Sequence, residues 1–296
     1  MFQKTIASAV MLEGVGVHSG KKCRIWLFGA PEDSGLTFVR LDATAPSKKT
    51  LARRKEHAGC IRADYRYVSN TQMCTKLTNE AGLSVTTVEH LLAALYGLGV
   101  SNAVIALLGE EIPTLDGSAK IFATEIRRAK VKEQRFRRKI LRVLKPIKVG
   151  TTEKWASLLP SDRLLINMKC DFSHRGLTTP FSFSYDFSTD NFVTTIAPAR
   201  TFGFFEDVEL LRKSRLALGG SLRNAVVFDA SGAVINKSGL RFTDEPVRHK
   251  VLDVIGDLSL CGHYICGQYD GFCSGHQLNN LLLHELFEHK ENYEIV

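Results

Sequence analysis

Apolar residues recur along the chain with two periods, and each period predicts a different kind of element. Helical spacing predicts helices over Thr86–Leu98 and Pro246–Cys261, and a further helix after Ser274-Gly275-His276. Short apolar or alternating runs predict strands at Met1–Glu13, Arg24–Leu27, Ala103–Leu108, Ile140–Val149, Leu164–Phe172 and Ala225–Phe228. Each half of the chain therefore mixes strands with a long helix. This pattern is typical of an α+β fold in two layered domains, with helices able to meet between the sheets.

Composition changes at one point in the chain. Arg127–Lys148 is dense in arginine and lysine, with Glu133 as its only acidic residue, and we place a domain boundary there between domains 1–132 and 133–296. The net charge of +8 predicts an affinity for anions, which nucleic acid, membrane surfaces and phosphorylated small molecules share. The basic run lacks the spacing of a helix-turn-helix, a zinc finger or an RNP motif. A solvated linker with basic strand residues explains it better than a nucleic-acid site.

The cysteines and the apolar runs bear on the compartment. Seven cysteines without a CxxC pair predict reduced thiols rather than a disulfide framework. The longest apolar runs, Leu91–Leu95 and Ala103–Leu108, are far shorter than the roughly 20 residues of a membrane helix. The N-terminus has no charged n-region, long h-region or A-x-A site, so we expect it to be a first strand. These features predict a cytoplasmic protein without a transmembrane segment.

The first candidate for chemistry is Glu89-His90, within the segment Thr86–Leu92. A histidine beside a glutamate can supply a metal ligand and a base. Thr86-x-x-Glu89 is also a capping box, in which the glutamate only satisfies amides at a helix N-terminus. On this segment alone, the cap is the favoured interpretation.

The second candidate lies on the predicted helix that starts near Pro246. His249 and Asp253 are four residues apart, opposite an apolar face, so both side chains can reach one ion, and Asp257 lies one turn further on. A solvated polar face would place such residues in the same way. Together with His90 they form a His-His-Asp set, which leaves the fourth position of a zinc ion open for water and so indicates a catalytic site.

Other histidines and glycines carry weaker signals. His276 lies in a glycine-flanked turn, and a lone histidine there is usually a surface or core residue. Gly14–Gly20 has Ser19 where a dinucleotide fingerprint needs its third glycine. The remaining cluster lacks zinc-ribbon spacing: Cys261, His263, Cys266 and Cys273.

Taken together, several ordered segments resemble one family, the UDP-3-O-acyl-N-acetylglucosamine deacetylases of lipid A synthesis. The resemblance covers nearly the whole chain. Its segments are GVGVHSGKK at 14–22, TVEHLLAAL at 87–95, EIPTLDGSA at 111–119, ARTFGF at 199–204, LGGS at 218–221, VRHKVLDVIGDL at 247–258 and SGHQLNN at 274–280.

The resemblance implies two similar domains, each a β-sheet with a helical layer, with the helices sandwiched and the active site at the domain junction. It implies one catalytic Zn²⁺ held by His90, His249 and Asp253. Glu89 matches the general base and His276 the general acid. The other catalytic matches are Asp257, which supports that acid, and Thr201 and Lys250, which stabilise the oxyanion.

The resemblance also implies that the protein is a monomer and that its substrate is an acylated UDP-N-acetylglucosamine. An insertion at about 202–223 would form a passage for the acyl chain, lined by residues that include Phe202, Phe204, Leu211 and Gly220. The family uses certain positions toward the nucleotide end of the substrate, and these match Lys154, Asp171 and Phe172.

Two departures from the family pattern stand out. Cys273 replaces a basic residue common before Ser-Gly-His, which leaves the neutralisation of the diphosphate open, and Pro246 replaces a large apolar residue. Two rival functions remain: an amidase of another N-acetyl sugar and a nucleic-acid-binding protein.

Overall fold

A computed structural model describes residues 1–43, 59–177, 181–188 and 190–296. Before residue 138 it has two helices, α1 (Glu89–Gly97) and α2 (Lys120–Arg128). The strands of this half are β1 (Phe2–Ile6), β2 (Val10–Val15), β3 (Lys22–Gly29), β4 (Leu36–Arg40), β5 (Cys60–Arg62), β6 (Val68–Asn70), β7 (Lys76–Thr78), β8 (Ser84–Thr86), β9 (Ala103–Leu108) and β10 (Val131–Arg137).

The described residues after 138 include four α-helices, α3 (Phe192–Thr195), α4 (Val208–Lys213), α5 (Glu245–Leu258) and α6 (His276–Glu288). Their strands are β11 (Ile140–Val143), β12 (Ile147–Gly150), β13 (Trp155–Leu159), β14 (Leu164–Cys170), β15 (Phe181–Asp186), β16 (Phe202–Phe204), β17 (Val226–Phe228), β18 (Tyr264–Phe272) and β19 (Tyr293–Ile295). This mixture of sheets and helices confirms the predicted α+β class.

The larger sheets follow the alternation of the sequence. In β3, Cys23, Ile25 and Leu27 are buried while Lys22 and Arg24 face outward, as expected of a strand with one face on the core. The first sheet has the order β2-β3-β9-β4-β5, and β6-β7-β8 forms a small sheet beside it. In the second large sheet, which has seven strands, β18 is central. It pairs with β13 along one edge, and with β11 and then β14 along the other.

Helices α1 and α5 pack against each other within one core that draws on both halves of the chain. Their backbones approach closely at Gly256, where a Cβ would lie 2.2 Å from the carbonyl oxygen of Glu89. A side chain at this position would force the helices apart. This contact brings the start of α1 beside the last turn of α5.

Three sequence predictions differ from the structure. The N-terminal run forms two strands, β1 and β2, and the run 140–149 forms β11 and β12, which separate at Pro146 because proline cannot donate to a ladder. The basic run contains basic strand residues, as predicted, but it is not a linker, since it supplies β10, β11 and β12. A boundary between residues 132 and 133 would fall within β10, which pairs with β1. The division into two domains stays a prediction.

Two further expectations concern thiols and membranes. All seven cysteines are free, as the sequence predicts. Within the described ranges, no helix is both long and apolar enough to cross a bilayer.

Candidate active site

Three predicted ligands meet where α1 packs on α5. His90 comes from the first turn of α1, and His249 and Asp253 come from successive turns of α5. One ligand atom from each lies within 4.8 Å of the other two. All three residues are buried, so the alternative of a solvated polar face on α5 is wrong.

The unpaired atoms of this group fit a metal ion. Asp253 Oδ1 is buried without a hydrogen-bond partner among the described residues and lies 3.8 Å from His90 Nε2 and 3.5 Å from His249 Nε2. Asp253 Oδ2 accepts a hydrogen bond from Lys250 Nζ at 2.9 Å. His249 Nδ1 lies 3.0 Å from the carbonyl oxygen of Ala199 and donates to it, which leaves the Nε2 lone pair for a ligand. An orphaned oxygen facing two imidazole nitrogens is the donor set of a three-ligand metal site.

The protonation of the three residues agrees with this role. Burial lowers the pKa of His90 to about 3, and His249 adds to that effect. The pKa of His249 is likewise lowered by burial. Burial alone would raise the pKa of Asp253, but Lys250 and the histidines outweigh it and the pKa is lowered. Neutral imidazoles and an ionised carboxylate are the forms that bind a metal.

Glu89 is the first residue of α1 and is almost completely buried. Its Oε2 accepts a hydrogen bond from the backbone N–H of Thr75 at 2.9 Å. Burial raises the pKa of Glu89 to about 7 against the opposing field of His276. The capping-box interpretation is wrong: Thr86 belongs to β8, and the residue before the helix, Val88, makes no side-chain cap.

His276 begins α6 and forms a hydrogen-bonded pair with Asp257 of α5, with 2.8 Å between Nδ1 and Oδ2. Asp257 also accepts hydrogen bonds from Asn279 Nδ2 at 2.8 Å and from Thr75 Oγ1 at 2.6 Å. Burial would lower the pKa of His276, but the Asp257 and Asp253 carboxylates raise it to about 9. His276 therefore carries a positive charge at neutral pH, and its Nε2 is not engaged by Asp257.

These groups open into a cavity of about 570 Å³. Its polar end includes Glu89, His90, Lys250 and His276, and Thr201 also lines the cavity. The rest is mostly apolar and is built by the segment after Thr201, where β16 and β17 pair in parallel around α4. The lining residues of this segment and its surroundings include Phe202, Phe204, Phe205, Val208, Leu211, Ala217, Gly220, Leu222, Val227 and Ile235.

The predicted insertion at about 202–223 corresponds to this strand-helix-strand unit, which extends to Phe228 at the end of β17. Not every apolar residue of the segment faces the cavity. Leu210 and Leu218 are exposed, and neither lines it.

The residues predicted to lie toward the nucleotide end divide into two groups. Lys154 lines the cavity, as does Cys273. Asp171 and Phe172 do not line it. Asp171 accepts a hydrogen bond from the backbone N–H of Ser173, and Phe172 packs edge-on against Phe202 at 5.4 Å between ring centroids. The nucleotide-binding role of these residues stays a prediction.

Sequence reasoning assigned no role to Thr75, although it bonds both Glu89 and Asp257. No local pattern could have found it, because 182 residues separate it from Asp257. It also assigned none to His18, which lines the cavity from the turn between β2 and β3. That turn joins two strands, which agrees with the exclusion of a dinucleotide fingerprint there.

Comparisons with known proteins point in one direction. The family model described as UDP-3-O-acyl N-acetylglycosamine deacetylase matches residues 3–288. A Shewanella baltica (strain OS155) protein named UDP-3-O-acyl-N-acetylglucosamine deacetylase is 42% identical over 297 residues, which cover 100% of this chain and 93% of that protein. A Shewanella oneidensis protein of the same name matches with the same identity and coverage.

Proposed function

Because the chain belongs to the UDP-3-O-acyl N-acetylglycosamine deacetylase family, we propose that it hydrolyses the N-acetyl group of UDP-3-O-(3-hydroxyacyl)-N-acetylglucosamine. The products are acetate and UDP-3-O-(3-hydroxyacyl)-glucosamine, and the reaction is the committed step of lipid A biosynthesis. One observation carries the proposal. A buried His-His-Asp group lies beside a buried carboxylate and a His-Asp pair, at the polar end of an apolar cavity.

The metal of this site is one Zn²⁺ per chain, held by His90, His249 and Asp253. Two nitrogens and one oxygen suit zinc and leave one position open. Lewis-acid activation of water and of an amide carbonyl is the chemistry that zinc supplies in such a site.

Glu89 is the general base. Its pKa of about 7 lets it be ionised near neutral pH and still accept a proton as the water oxygen attacks the acetamide carbon. The backbone N–H of Thr75 holds one carboxylate oxygen, so the other is free to take that proton.

His276 is the general acid. Asp257 bonds Nδ1 and keeps the ring charged, which directs the Nε2 proton to the amine nitrogen as the C–N bond breaks. Because Asn279 and Thr75 also donate to Asp257, the carboxylate cannot turn away from the histidine.

Lys250 and Thr201 stabilise the oxyanion. One of the three N–H groups of Lys250 donates a hydrogen bond to Asp253. Burial would lower the pKa of the ammonium, but the Asp253 carboxylate raises it. The positive charge therefore persists beside the reacting carbonyl. Thr201 also lines the cavity, and its backbone is fixed by hydrogen bonds to Gly117 and Val226, which supports a second donor to the oxyanion there.

The apolar part of the cavity binds the acyl chain, along Phe202, Phe204, Leu211 and Gly220. Lys154 at the cavity serves the nucleotide end, together with Asp171 and Phe172. Each buried methylene contributes about 0.8 kcal/mol, so a few enclosed methylenes raise kcat/KM by one to two orders of magnitude.

The experiment compares UDP-N-acetylglucosamine with substrates of increasing 3-O-acyl length and measures acetate release. We expect kcat/KM to rise steeply with chain length. Equal values for all substrates would favour an amidase of another N-acetyl sugar, and no acetate from any of them would overturn the proposal.

A further inference from the structure

Glu111 is a buried carboxylate outside the reacting groups, and it holds two different segments at once. Its Oε1 accepts hydrogen bonds from the backbone N–H of His18 at 2.8 Å and from Thr87 Oγ1 at 3.1 Å. Its Oε2 accepts one from the backbone N–H of Ser19 at 2.9 Å. Only 3% of the residue is exposed, so these donors replace water around the charge.

The first segment is the β2–β3 turn, which supports the wall of the proposed acyl passage. The carbonyl oxygens of Val17 and His18 accept hydrogen bonds from the backbone N–H groups of Gly219 at 3.0 Å and Leu218 at 3.1 Å. Val17 and His18 line the cavity, and so does Gly220. The turn therefore fixes the backbone of the insertion where the passage is built.

Gly16 makes room for the carboxylate in this turn. A Cβ at Gly16 would lie 2.0 Å from Glu111 Oε2, much closer than any real contact. An alanine there would displace the carboxylate without removing it.

The second segment is the turn that enters α1. Thr87 has φ of 59°, an uncommon backbone conformation for a β-branched residue, and it comes two residues before Glu89. Such strain persists only where surrounding contacts hold it. The bond from Thr87 Oγ1 to Glu111 is such a contact, and the backbone N–H of Ile112 bonds the carbonyl oxygen of Thr86 beside it at 3.1 Å.

From this geometry, and resting on the proposed function, we infer that Glu111 is a positioning residue that links the wall of the acyl passage to the turn that carries Glu89 and His90. The link makes the acyl chain contribute to turnover as well as to binding. A chain packed against Val17 and His18 stabilises the turn that Glu111 holds, and Glu111 in turn holds Thr87.

The link requires both carboxylate oxygens as acceptors. Glu111→Gln replaces one oxygen with an amide NH₂, which then faces a donor: the Ser19 N–H in one orientation, or the His18 N–H and the Thr87 hydroxyl in the other. The matched control is Glu110→Gln, because the neighbouring Glu110 side chain is 72% exposed and lies outside the cavity.

The experiment measures kcat, bound zinc and melting temperature for both variants, with a 3-O-acylated substrate and with UDP-N-acetylglucosamine. We expect Glu111→Gln to keep its zinc and to lose kcat per bound zinc on the acylated substrate by on the order of 10²-fold, as small displacements of reacting groups do. The ratio of kcat on the 3-O-acylated substrate to kcat on UDP-N-acetylglucosamine should fall as well. Glu110→Gln should match the wild type in each measurement.

Three results would overturn the inference. They are an unchanged kcat in Glu111→Gln, equal losses on both substrates, and losses that only follow the unfolded or zinc-free fraction. If Glu111→Gln does not fold, Gly16→Ala provides the same test, since it displaces the carboxylate and should give the same kinetic pattern. An inactive wild type would instead refute the proposed function, and this inference with it.

Discussion

Replacement of Asp257 by asparagine tests how the proposed acid is kept charged. Asp257 raises the pKa of His276 through its charge and its hydrogen bond, to about 9 from an ordinary 6.5. Asparagine keeps the size of the side chain but removes the charge. We therefore expect the pKa of His276 to fall toward its ordinary value, because burial lowers it and only Asp253 and Glu89 still raise it.

The size of the effect follows from the two pKa values. With a pKa of about 9, roughly 97% of His276 is protonated at pH 7.5, and with a pKa of about 6.5 roughly 9% is. A full return of the pKa to 6.5 sets the upper bound, so Asp257→Asn should lower kcat/KM by up to about tenfold at pH 7.5 and up to about 80-fold at pH 8.5. Little loss is expected from this cause near pH 6.

The assay is a pH profile of kcat/KM for the wild type and Asp257→Asn. The exposed carboxylate Asp162, whose side chain is 84% exposed, provides the control Asp162→Asn. In the wild type, the acidic limb should lie near 7, where Glu89 ionises, and the basic limb near 9, where His276 loses its proton. A loss in Asp257→Asn that is equal at every pH would refute the reasoning, since the charge of Asp257 would then not set the titration of the acid.

Three further predictions test other parts of the site. Asp253→Ala should lose bound zinc and activity together, because it removes the oxygen ligand, and elemental analysis measures this; equal zinc and activity in both proteins would refute the ligand assignment. Glu89→Gln should keep its zinc and lose roughly 10²- to 10⁴-fold in kcat, as loss of a general base does, whereas retained turnover would exclude Glu89 as the base. Leu211→Arg should lower kcat/KM at least about tenfold on a long-chain substrate but not on UDP-N-acetylglucosamine, since a charge would enter the apolar cavity. The exposed neighbour gives the control Leu210→Arg, and equal effects of the two arginines would argue against the passage.

Local patterns predicted the main elements because their apolar residues recur at the spacing of a helix or a strand and are buried. The run 103–108 is β9 without a change of bounds, and Pro246 lies in the first turn of α5 as expected. Where the predicted capping box failed, contacts outside the segment decided the outcome. Thr86-x-x-Glu89 has the spacing of a cap, but Thr86 is taken up by β8, so the helix begins at Glu89 and its carboxylate bonds Thr75.

The same limit applies to the site. The i and i+4 spacing of His249 and Asp253 could be read from the sequence, because one helix sets it. His90 and His276 lie on other helices, and only the resemblance to a family joined them to that pair. Glu111 was quoted in that resemblance without a role, since its partners are 24 to 93 residues away and two of them are backbone amides.

Acetate release from UDP-3-O-(3-hydroxyacyl)-N-acetylglucosamine tests the central claim most directly, with the protein first stripped by a chelator and then titrated with zinc. We expect no turnover in the stripped protein and full recovery at one equivalent of zinc per chain. Turnover that survives complete metal removal, or a zinc-loaded wild type that releases no acetate, would contradict it.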